Sequence, residues 1–145
     1  MSYESLKALH MLGIVLFLGN IVVTGWWKGA ADRTRDARVI AFAQRQVTLT
    51  DWLFTAGGAA LLYVPALLML HQLGLGEWSE RWIVWGHGLF LASGVIWVAV
   101  LIPLQVVQAR MARRFADTGA IPARYWTLTH LWLGFGVAAT VLPLL

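Results

Sequence analysis

Cysteine is absent from this 145-residue chain, which excludes disulfide bonds, thiolate metal sites and cysteine nucleophiles. Charged residues are also scarce: they make up 12% of the chain, whereas a soluble domain carries about a quarter. Hydrophobic residues account for 59% of the chain, and its mean hydropathy is +0.69. Such a chain cannot cover a water-facing surface with polar groups, so its composition predicts an integral membrane protein whose solvent is the lipid bilayer.

Motifs for hydrolysis and nucleotide chemistry are missing as well. The sequence has no glycine-rich phosphate loop, no nucleophile elbow and no H-E-x-x-H metal motif. The net charge of +4 would raise nucleic acid as a partner for a soluble protein. Here the basic residues fall in two short segments between apolar runs, which is typical of membrane topology, so no nucleic-acid partner is expected.

What the chain does contain is four apolar windows, near residues 6–27, 51–73, 81–103 and 125–145. Each has about the 20 residues that a helix needs to cross a bilayer, and irregular backbone cannot face lipid. We therefore predict an all-α fold: a single transmembrane domain over residues 1–145, built as a four-transmembrane-helix antiparallel bundle. With extensions beyond the membrane, the helices are expected near 6–27, 35–73, 81–115 and 123–145.

Local signals predict where these helices begin, end and bend. Asp32 or Thr34 would cap the start of the second helix, and Ser79 the start of the third. Gly74 is a stop signal for the second helix. Pro103 lies inside the third helix and should kink it there, because proline lacks the backbone N–H of a regular turn.

The distribution of basic residues predicts the orientation. The first and third connections carry most of them: Lys28, Arg33, Arg35, Arg38, Arg45, Arg110, Arg113, Arg114 and Arg124. The opposite side carries only Lys7 and Arg81. The positive-inside rule then places both basic connections in the cytoplasm. We expect a multi-pass protein of the bacterial inner membrane with both termini outside.

Two histidines lie at matched depth, His10 on the first helix and His87 on the third. Imidazoles on two helices can hold a haem iron from both faces, and the core of a helix bundle is a usual cofactor site. Glycines that would clear space for the flat macrocycle stand on both helices: Gly13, Gly86, Gly88 and Gly94. The alternative is structural: the glycines let helices approach closely and each histidine hydrogen-bonds a neighbour.

A second use of the histidines is a metal site. His10, His71 and His87 all fall on the outer side of the predicted bundle, and imidazole suits copper or zinc. Met11 and Met69 stand beside two of them. They either add thioether ligands or serve as ordinary apolar filling.

Polar residues also occur toward the cytoplasmic side. Asp51 opens the membrane part of the second helix, and a carboxylate there is costly unless it is paired. Arg45, Arg124 and His130 are the expected partners, in either a structural ion pair or a proton path from the cytoplasm. Asn20 on the first helix is expected to form an interhelical hydrogen bond or part of a site.

Three stretches carry a resemblance: LKALHMLGIVLFLGNIVVTGWWK, RDARVIAFAQRQVTLTDWLFTAGG and WxxWGHGLFxxSGxxWxxVLIPLQ. Together they resemble the DUF2269 family of small bacterial integral membrane proteins over nearly the whole chain. The family name implies no function.

The chain is more distantly similar to HemJ-type protoporphyrinogen oxidases and to CopD-like copper-resistance membrane proteins. The similarity rests on K-A-x-H ending at His10, followed by Gly13 and Ile14, and on T-x-G-G in the second helix. It implies haem b and a ligand role for His10. The lysine of the third helix in HemJ-type proteins has no counterpart here, where Gly86-His87 stands, and His87 would replace it as a ligand.

The combined hypothesis is a b-type haem-binding membrane protein in redox or electron-transfer chemistry, with haem b between helices 1 and 3. Copper or another metal, handled by the outward histidines, is the alternative, and a non-catalytic subunit of a membrane complex is a third. The expected partners are the lipid bilayer, a membrane redox partner or quinone, and a second copy of the chain in a homo-oligomer.

Overall fold

The computed structural model describes residues 1–76 and 78–145, and within them it is helical with no β-strand. Four long helices follow one another: α1 Tyr3–Thr34, α2 Ala37–Gln72, α3 Arg81–Thr118 and α4 Ala123–Leu144. Each is long and apolar enough to cross a membrane, because four runs of the required length are separated by short polar connections. The predicted all-α, four-transmembrane-helix fold is confirmed.

The bundle has two ends that differ in the connections they hold. The basic end holds the connections 35–36 and 119–122, and the terminal end holds both chain termini and the connection between α2 and α3. At the terminal end, α2 stops at Gly74 as expected, with a φ of 67° that suits glycine at a helix end. At the basic end, Gly119 closes α3 in the same way, with a φ of 73°.

The helix caps differ from those predicted. Asp36 caps α2, because its Oδ1 accepts hydrogen bonds from the backbone N–H groups of Arg38 at 2.8 Å and Val39 at 3.1 Å. Asp32 and Thr34 instead lie within α1, which extends two turns beyond its apolar run. Ser79 makes no cap for α3, since its hydroxyl donates to the carbonyl of Gly76 at 2.8 Å.

Two wide turns interrupt the regular helices inside the membrane region. A π-helical segment spans Asp51–Ala56 in α2, and a second spans Trp97–Leu101 in α3. The second ends two residues before Pro103. A proline cannot donate to the carbonyl one turn earlier, and a wide turn accommodates that missing bond without breaking the helix. Short π-helical segments also redirect side chains and are frequent at functional sites.

The helices α1 and α2 pack with their backbones in contact. A Cβ on Gly13 would collide with backbone atoms of Leu61 and Leu62, and a Cβ on Gly58 would lie 2.7 Å from the backbone nitrogen of Phe17. Membrane helices lack a hydrophobic force between them, so close backbone approach at small residues is what holds such a pair together.

A compact apolar cluster joins α2, α3 and α4 at the basic end. Its buried members come from α2, α3 and α4: Ala37, Ile40, Ala112, Phe115 and Tyr125. The rings of Phe115 and Tyr125 meet edge to face with centroids 5.1 Å apart, a favourable aromatic geometry. The bundle is therefore closed and well packed at this end.

Toward the terminal end the bundle separates into two helix pairs. No Cα of Arg81–Ile96 lies within 8 Å of a Cα of α1 or of Gly57–Gln72. Aromatic side chains cross the gap instead: Tyr63 stacks on Phe90 at 5.3 Å, and Phe17 contacts Phe90 at 6.1 Å between ring centroids. The pair α1–α2 and the pair α3–α4 thus enclose a cleft.

Candidate functional site

His10 lies half-buried between α1 and α2. Its Nδ1 is 2.7 Å from the carbonyl oxygen of Leu62. A carbonyl oxygen only accepts, so Nδ1 carries the proton and donates it, and the lone pair of the neutral ring is on Nε2. The backbone of α2 therefore fixes both the tautomer and the orientation of this imidazole.

His87, on α3, contacts Tyr63, the residue of α2 that follows Leu62. The hydroxyl of Tyr63 lies 3.1 Å from its Nδ1 and 3.2 Å from its Nε2, and the ring of Trp78 packs edge-on with centroids 5.2 Å apart. Because Leu62 and Tyr63 are adjacent, His10 and His87 reach α2 at the same level. The structure thus brings both histidines to one turn of α2, each with a hydrogen-bond partner there.

The glycines near the histidines have two different roles. Gly13 clears no space for a cofactor, which corrects the expectation above, because α2 packs directly against it. On α3, a Cβ at Gly86, Gly88 or Gly94 would meet no atom within 4 Å. Of the four glycines predicted to make room for a macrocycle, only the three on α3 have open space beside them.

His71 does not join the other two histidines. It lies near the end of α2, about 13 Å along the helix from Leu62 at a rise of 1.5 Å per residue. Among residues 1–76 and 78–145, no three His, Cys, Asp or Glu side chains are close enough to share a metal ion. The three-histidine metal cluster is therefore not assembled.

Asp51 is buried where α1, α2 and α3 meet, and its partners are neutral. Its Oδ1 accepts from the amide of Asn20 at 3.1 Å and from the hydroxyl of Thr55 at 2.9 Å, and its Oδ2 accepts from the amide of Gln105. Asn20 also donates to Thr55 at 2.9 Å. The side chains of Asn20, Asp51, Thr55 and Gln105 form what we call the Asp51 cluster.

This arrangement corrects the predicted partners of Asp51. Arg45 is exposed and its guanidinium lies 5.7 Å from the ring of Phe42. Arg124 and His130 are exposed on α4. The carboxylate of Asp51, at the start of the π-helical segment, is buried in the bundle, whereas these three side chains are exposed. The predicted interhelical hydrogen bond of Asn20 is confirmed, with Asp51 and Thr55 as its acceptors.

A second polar group lies closer to the basic end. Lys28 is only 2% exposed, and its Nζ forms an ion pair with Asp32 at 3.2 Å and donates to the hydroxyl of Tyr125 at 2.9 Å. The hydroxyl of Tyr125 is 3.4 Å from Asp32 and 3.5 Å from the amide oxygen of Gln44. We call Lys28, Asp32, Gln44 and Tyr125 the Lys28 network.

Lys28 was expected in a loop, and neither Gln105 nor Gln108 was predicted to lie inside the bundle. A signal for them exists. Asn20, Thr24 and Lys28 recur every four residues, so they form one polar stripe along α1. Gln105 and Gln108 are three residues apart, which also places them on one face of α3. Such a stripe on an apolar membrane helix faces the bundle interior, since lipid cannot satisfy it.

Two buried amides, one of them in the Lys28 network, have unmet hydrogen-bonding capacity. Gln108 donates to the hydroxyl of Thr129 at 2.9 Å. The amide oxygen of Gln108 and the amide nitrogen of Gln44 are buried with no partner in the described part of the chain. Buried polar atoms in this condition commonly bind ordered water. Polar groups thus occur in successive layers from the basic end to Asp51.

A cavity of about 790 Å³ adjoins the Asp51 cluster, between the two helix pairs. All four helices line it, mostly with apolar side chains, and its polar wall includes Asp51, Thr55 and Gln105. Phe17 and Phe90 also line it, so the aromatic contacts that reach His87 through Tyr63 begin at its edge. A mostly apolar pocket with a few convergent polar groups is a typical small-molecule site.

Comparison with known proteins identifies one family. The model of the DUF2269 family, described as a predicted integral membrane protein, matches residues 4–145. No curated protein and no solved structure matches. The match confirms the family resemblance found in the sequence, while the similarity to HemJ-type and CopD-like proteins stays a prediction.

Proposed function

We propose a function for this chain, which belongs to the DUF2269 family of predicted integral membrane proteins: it is a b-type haem-binding membrane protein in redox or electron-transfer chemistry. His10 on α1 and His87 on α3 would hold the haem iron. The observation that supports this best is the placement of both imidazoles against one turn of α2, at Leu62 and Tyr63.

The chemistry of His10 fits an iron ligand. Metal-ligating histidines usually donate the second ring N–H to a carbonyl or carboxylate, which fixes the tautomer and makes the ligating nitrogen more basic. The bond from Nδ1 of His10 to Leu62 is of this kind and leaves the lone pair on Nε2. The role of Leu62 would be to orient the ligand.

The surroundings of His87 also fit an iron ligand, once one of its two ring nitrogens is released from the hydroxyl of Tyr63. One of its ring nitrogens can retain the hydroxyl of Tyr63, as an orienting hydrogen bond, while the other ligates. Its chain neighbours Gly86 and Gly88 have open space where a Cβ would stand. Tyr63, Phe90 and Phe17 would shield the site from water, because their rings fill the narrow part of the cleft.

A haem held by two histidines would supply one-electron transfer, with a potential set by its ligands and by burial. The protein's own groups would handle protons. Asp51 and the polar layers that extend toward the basic end offer a series of hydrogen-bonding groups for this purpose. An electron partner in the bilayer, either a membrane protein or a quinone, would complete the chemistry.

The experiment is an absorption spectrum of the gently solubilised protein, purified after expression with ample haem, in oxidised and dithionite-reduced form. We expect a Soret band with sharp α and β bands on reduction, at about one haem per chain. His10→Ala and His87→Ala should each remove the band or convert it to a high-spin spectrum. The matched control is His130→Ala, on the exposed face of α4, which should leave the spectrum unchanged.

A colourless protein under these conditions would overturn the haem proposal. Stoichiometric copper in that colourless sample would favour the metal-handling alternative. A sample with neither group, which copurifies with other membrane proteins, would favour a non-catalytic subunit. Retention of the full spectrum in His10→Ala would show that haem is bound by other residues.

The location belongs to the same proposal. We place the chain in the bacterial inner membrane with the basic end in the cytoplasm and both termini outside. Most Lys and Arg residues belong to the two connections of the basic end and the helix turns beside them, and such residues are retained on the cytoplasmic side during insertion.

A further inference from the structure

A groove between α2 and α3 at the basic end has features of a ligand site that neither the family description nor the haem proposal accounts for. Its volume is about 570 Å³. Half of its lining consists of residues with short side chains, which leave the space open: Ala41, Thr48, Ala109, Ala112 and Ala116. The other half carries larger side chains: Phe42, Arg45, Leu49, Trp52 and Arg113. We call these ten residues the Arg45 groove.

The groove carries two positive charges. Arg45 comes from α2 and Arg113 from α3, and the ten residues include no Asp or Glu. Within residues 1–76 and 78–145, the ion pair that forms joins Lys28 to Asp32, so no carboxylate there compensates either arginine. A guanidinium stays charged in proteins and can donate two parallel hydrogen bonds to the oxygens of a phosphate. The charges of the groove therefore favour a ligand with a phosphate group.

The position of the groove along the helices places it at the surface of the membrane. Trp52 lies at the end nearer the membrane interior, where its ring meets that of Trp97 with centroids 6.1 Å apart. Arg45 precedes Trp52 by seven residues, which puts it about 10 Å closer to the basic end at 1.5 Å per residue. Tryptophan at the interface with arginine beyond it is the usual order at the level of the lipid headgroups. The groove thus extends from the acyl chains to the headgroups.

An anionic phospholipid matches both parts of the groove. Its phosphate would accept hydrogen bonds from the guanidiniums, and its acyl chains would cover the apolar side chains. Those of Phe42, Leu49 and Trp52 are 59%, 52% and 57% exposed. A soluble phosphate compound would use the charges but leave these side chains uncovered. A zwitterionic lipid would bring a cation that the arginines repel, and basic pockets between membrane helices are known to bind anionic headgroups.

We propose that the Arg45 groove binds one anionic phospholipid, whose phosphate accepts hydrogen bonds from Arg45 and Arg113. The site goes beyond the haem proposal and does not depend on it, since none of the ten lining residues is a histidine. A lipid bound there contacts both α2 and α3. It binds the folded protein only, so it should also raise the thermal stability of the fold.

The test is native mass spectrometry of the delipidated protein, titrated with phosphatidylglycerol or with phosphatidylcholine of the same acyl chains. We expect one phosphatidylglycerol per chain and clearly weaker binding of phosphatidylcholine. Arg45→Gln and Arg113→Gln should each weaken the binding of phosphatidylglycerol about fivefold, the effect of removing one arginine near an anionic headgroup. Both side chains are exposed, so their replacement should not disturb the packing of the helices.

Matched controls exist on the same two helices. Arg38 on α2 and Arg114 on α3 are exposed and are not among the lining residues. Arg38→Gln and Arg114→Gln change the net charge by the same amount as the test variants, and they should leave the affinity for phosphatidylglycerol within about twofold of the wild type, because charges away from the groove are screened by solvent.

A second pair of variants tests the location with every charge retained. Ala109 lines the groove, whereas Ala92 on the same helix does not. Ala109→Leu fills the groove and should abolish lipid binding, while Ala92→Leu should leave it intact. Inorganic phosphate, titrated in place of lipid, should neither bind nor displace phosphatidylglycerol.

Three results would overturn the proposal. Equal binding of the two lipids would show that the groove does not recognise negative charge. An equal loss in the Arg38→Gln and Arg114→Gln controls would indicate a general attraction to the basic end. Displacement by inorganic phosphate would assign the groove to a soluble phosphate compound. The haem spectrum is measured separately, so a colourless protein that binds phosphatidylglycerol here would refute the haem function and retain the lipid site.

Discussion

At the scale of single residues, the main departure from expectation is Lys28. An ammonium group buried near the interior of a bundle is costly unless its charge is compensated. Asp32 supplies the opposite charge one helical turn away, and the hydroxyl and ring of Tyr125 add a hydrogen bond and a cation–π contact at 4.9 Å. Lys28 therefore joins α1 to α4. It forms contacts inside the bundle in addition to contributing to the charge that orients the protein in the membrane.

The pair of Lys28 and Asp32 should behave as a coupled unit. Lys28→Met and Asp32→Asn each leave the other charge without its partner, so each should lower the free energy of unfolding, by about 3 kcal/mol for a well-buried pair. The double variant should lose clearly less than the sum, because no unpaired charge is left. Thermal unfolding in mild detergent, followed by tryptophan fluorescence, measures the difference.

Lys7→Met is the matched control, since Lys7 is on the same helix but exposed and should change stability by less than about 0.5 kcal/mol. Strict additivity of the two single variants would contradict the coupling. It would mean that Lys28 and Asp32 are each solvated independently in the folded protein.

At the scale of helices, α1 and α2 pack with their backbones in direct contact. Gly13 and Gly58 allow the backbones to touch, and the same approach brings His10 within hydrogen-bonding distance of Leu62. The contact between α1 and α2 thus sets both the packing of these helices and the orientation of His10, the proposed iron ligand. A change in the separation of these helices would alter both.

Gly13→Ala should test this crossing. The added methyl would collide with backbone atoms of Leu61 and Leu62, which cannot move as a side chain does, so overpacking should cost about 1–3 kcal/mol. Gly19→Ala is the control on the same helix, because a Cβ there meets nothing within 4 Å. Thermal unfolding in detergent compares the two, and equal midpoints would show that α1 and α2 do not pack this closely.

At the scale of the whole molecule, the bundle is closed at the basic end and divided toward the terminal end. The apolar cluster around Phe115 and Tyr125 holds α2, α3 and α4 together. Between the two helix pairs, space is filled by aromatic side chains and by the cavity of about 790 Å³. This division provides room for ligands in the membrane while one end maintains the fold.

The proposed orientation of the molecule can be measured directly, because the chain has no cysteine of its own. Ala120→Cys introduces a thiol at the basic end, and Ser79→Cys one at the terminal end, both at exposed positions. In intact bacterial cells, a membrane-impermeant maleimide should label Ser79→Cys only. Ala120→Cys should react only after the membrane is opened, and the reverse pattern would invert the topology.

The sequence by itself determined the number, type and approximate bounds of the helices. Hydropathy over 20 residues decides whether a segment enters the bilayer, and it is a local property that needs no knowledge of neighbours. Gly74 likewise ended α2 as predicted, because a residue that readily adopts positive φ acts within one turn. The family was also visible in the sequence, since the matching stretches are continuous.

The tertiary structure alone decided what the polar residues contact. Asp51 was expected beside a cation, yet it accepts hydrogen bonds from Asn20 and Gln105, which come from two other helices. Lys28 was assigned to a loop, yet a longer α1 carries it to Tyr125, 97 positions away in the chain. Such contacts depend on how helices rotate and approach one another, and hydropathy, which is summed along one segment, contains no information about that.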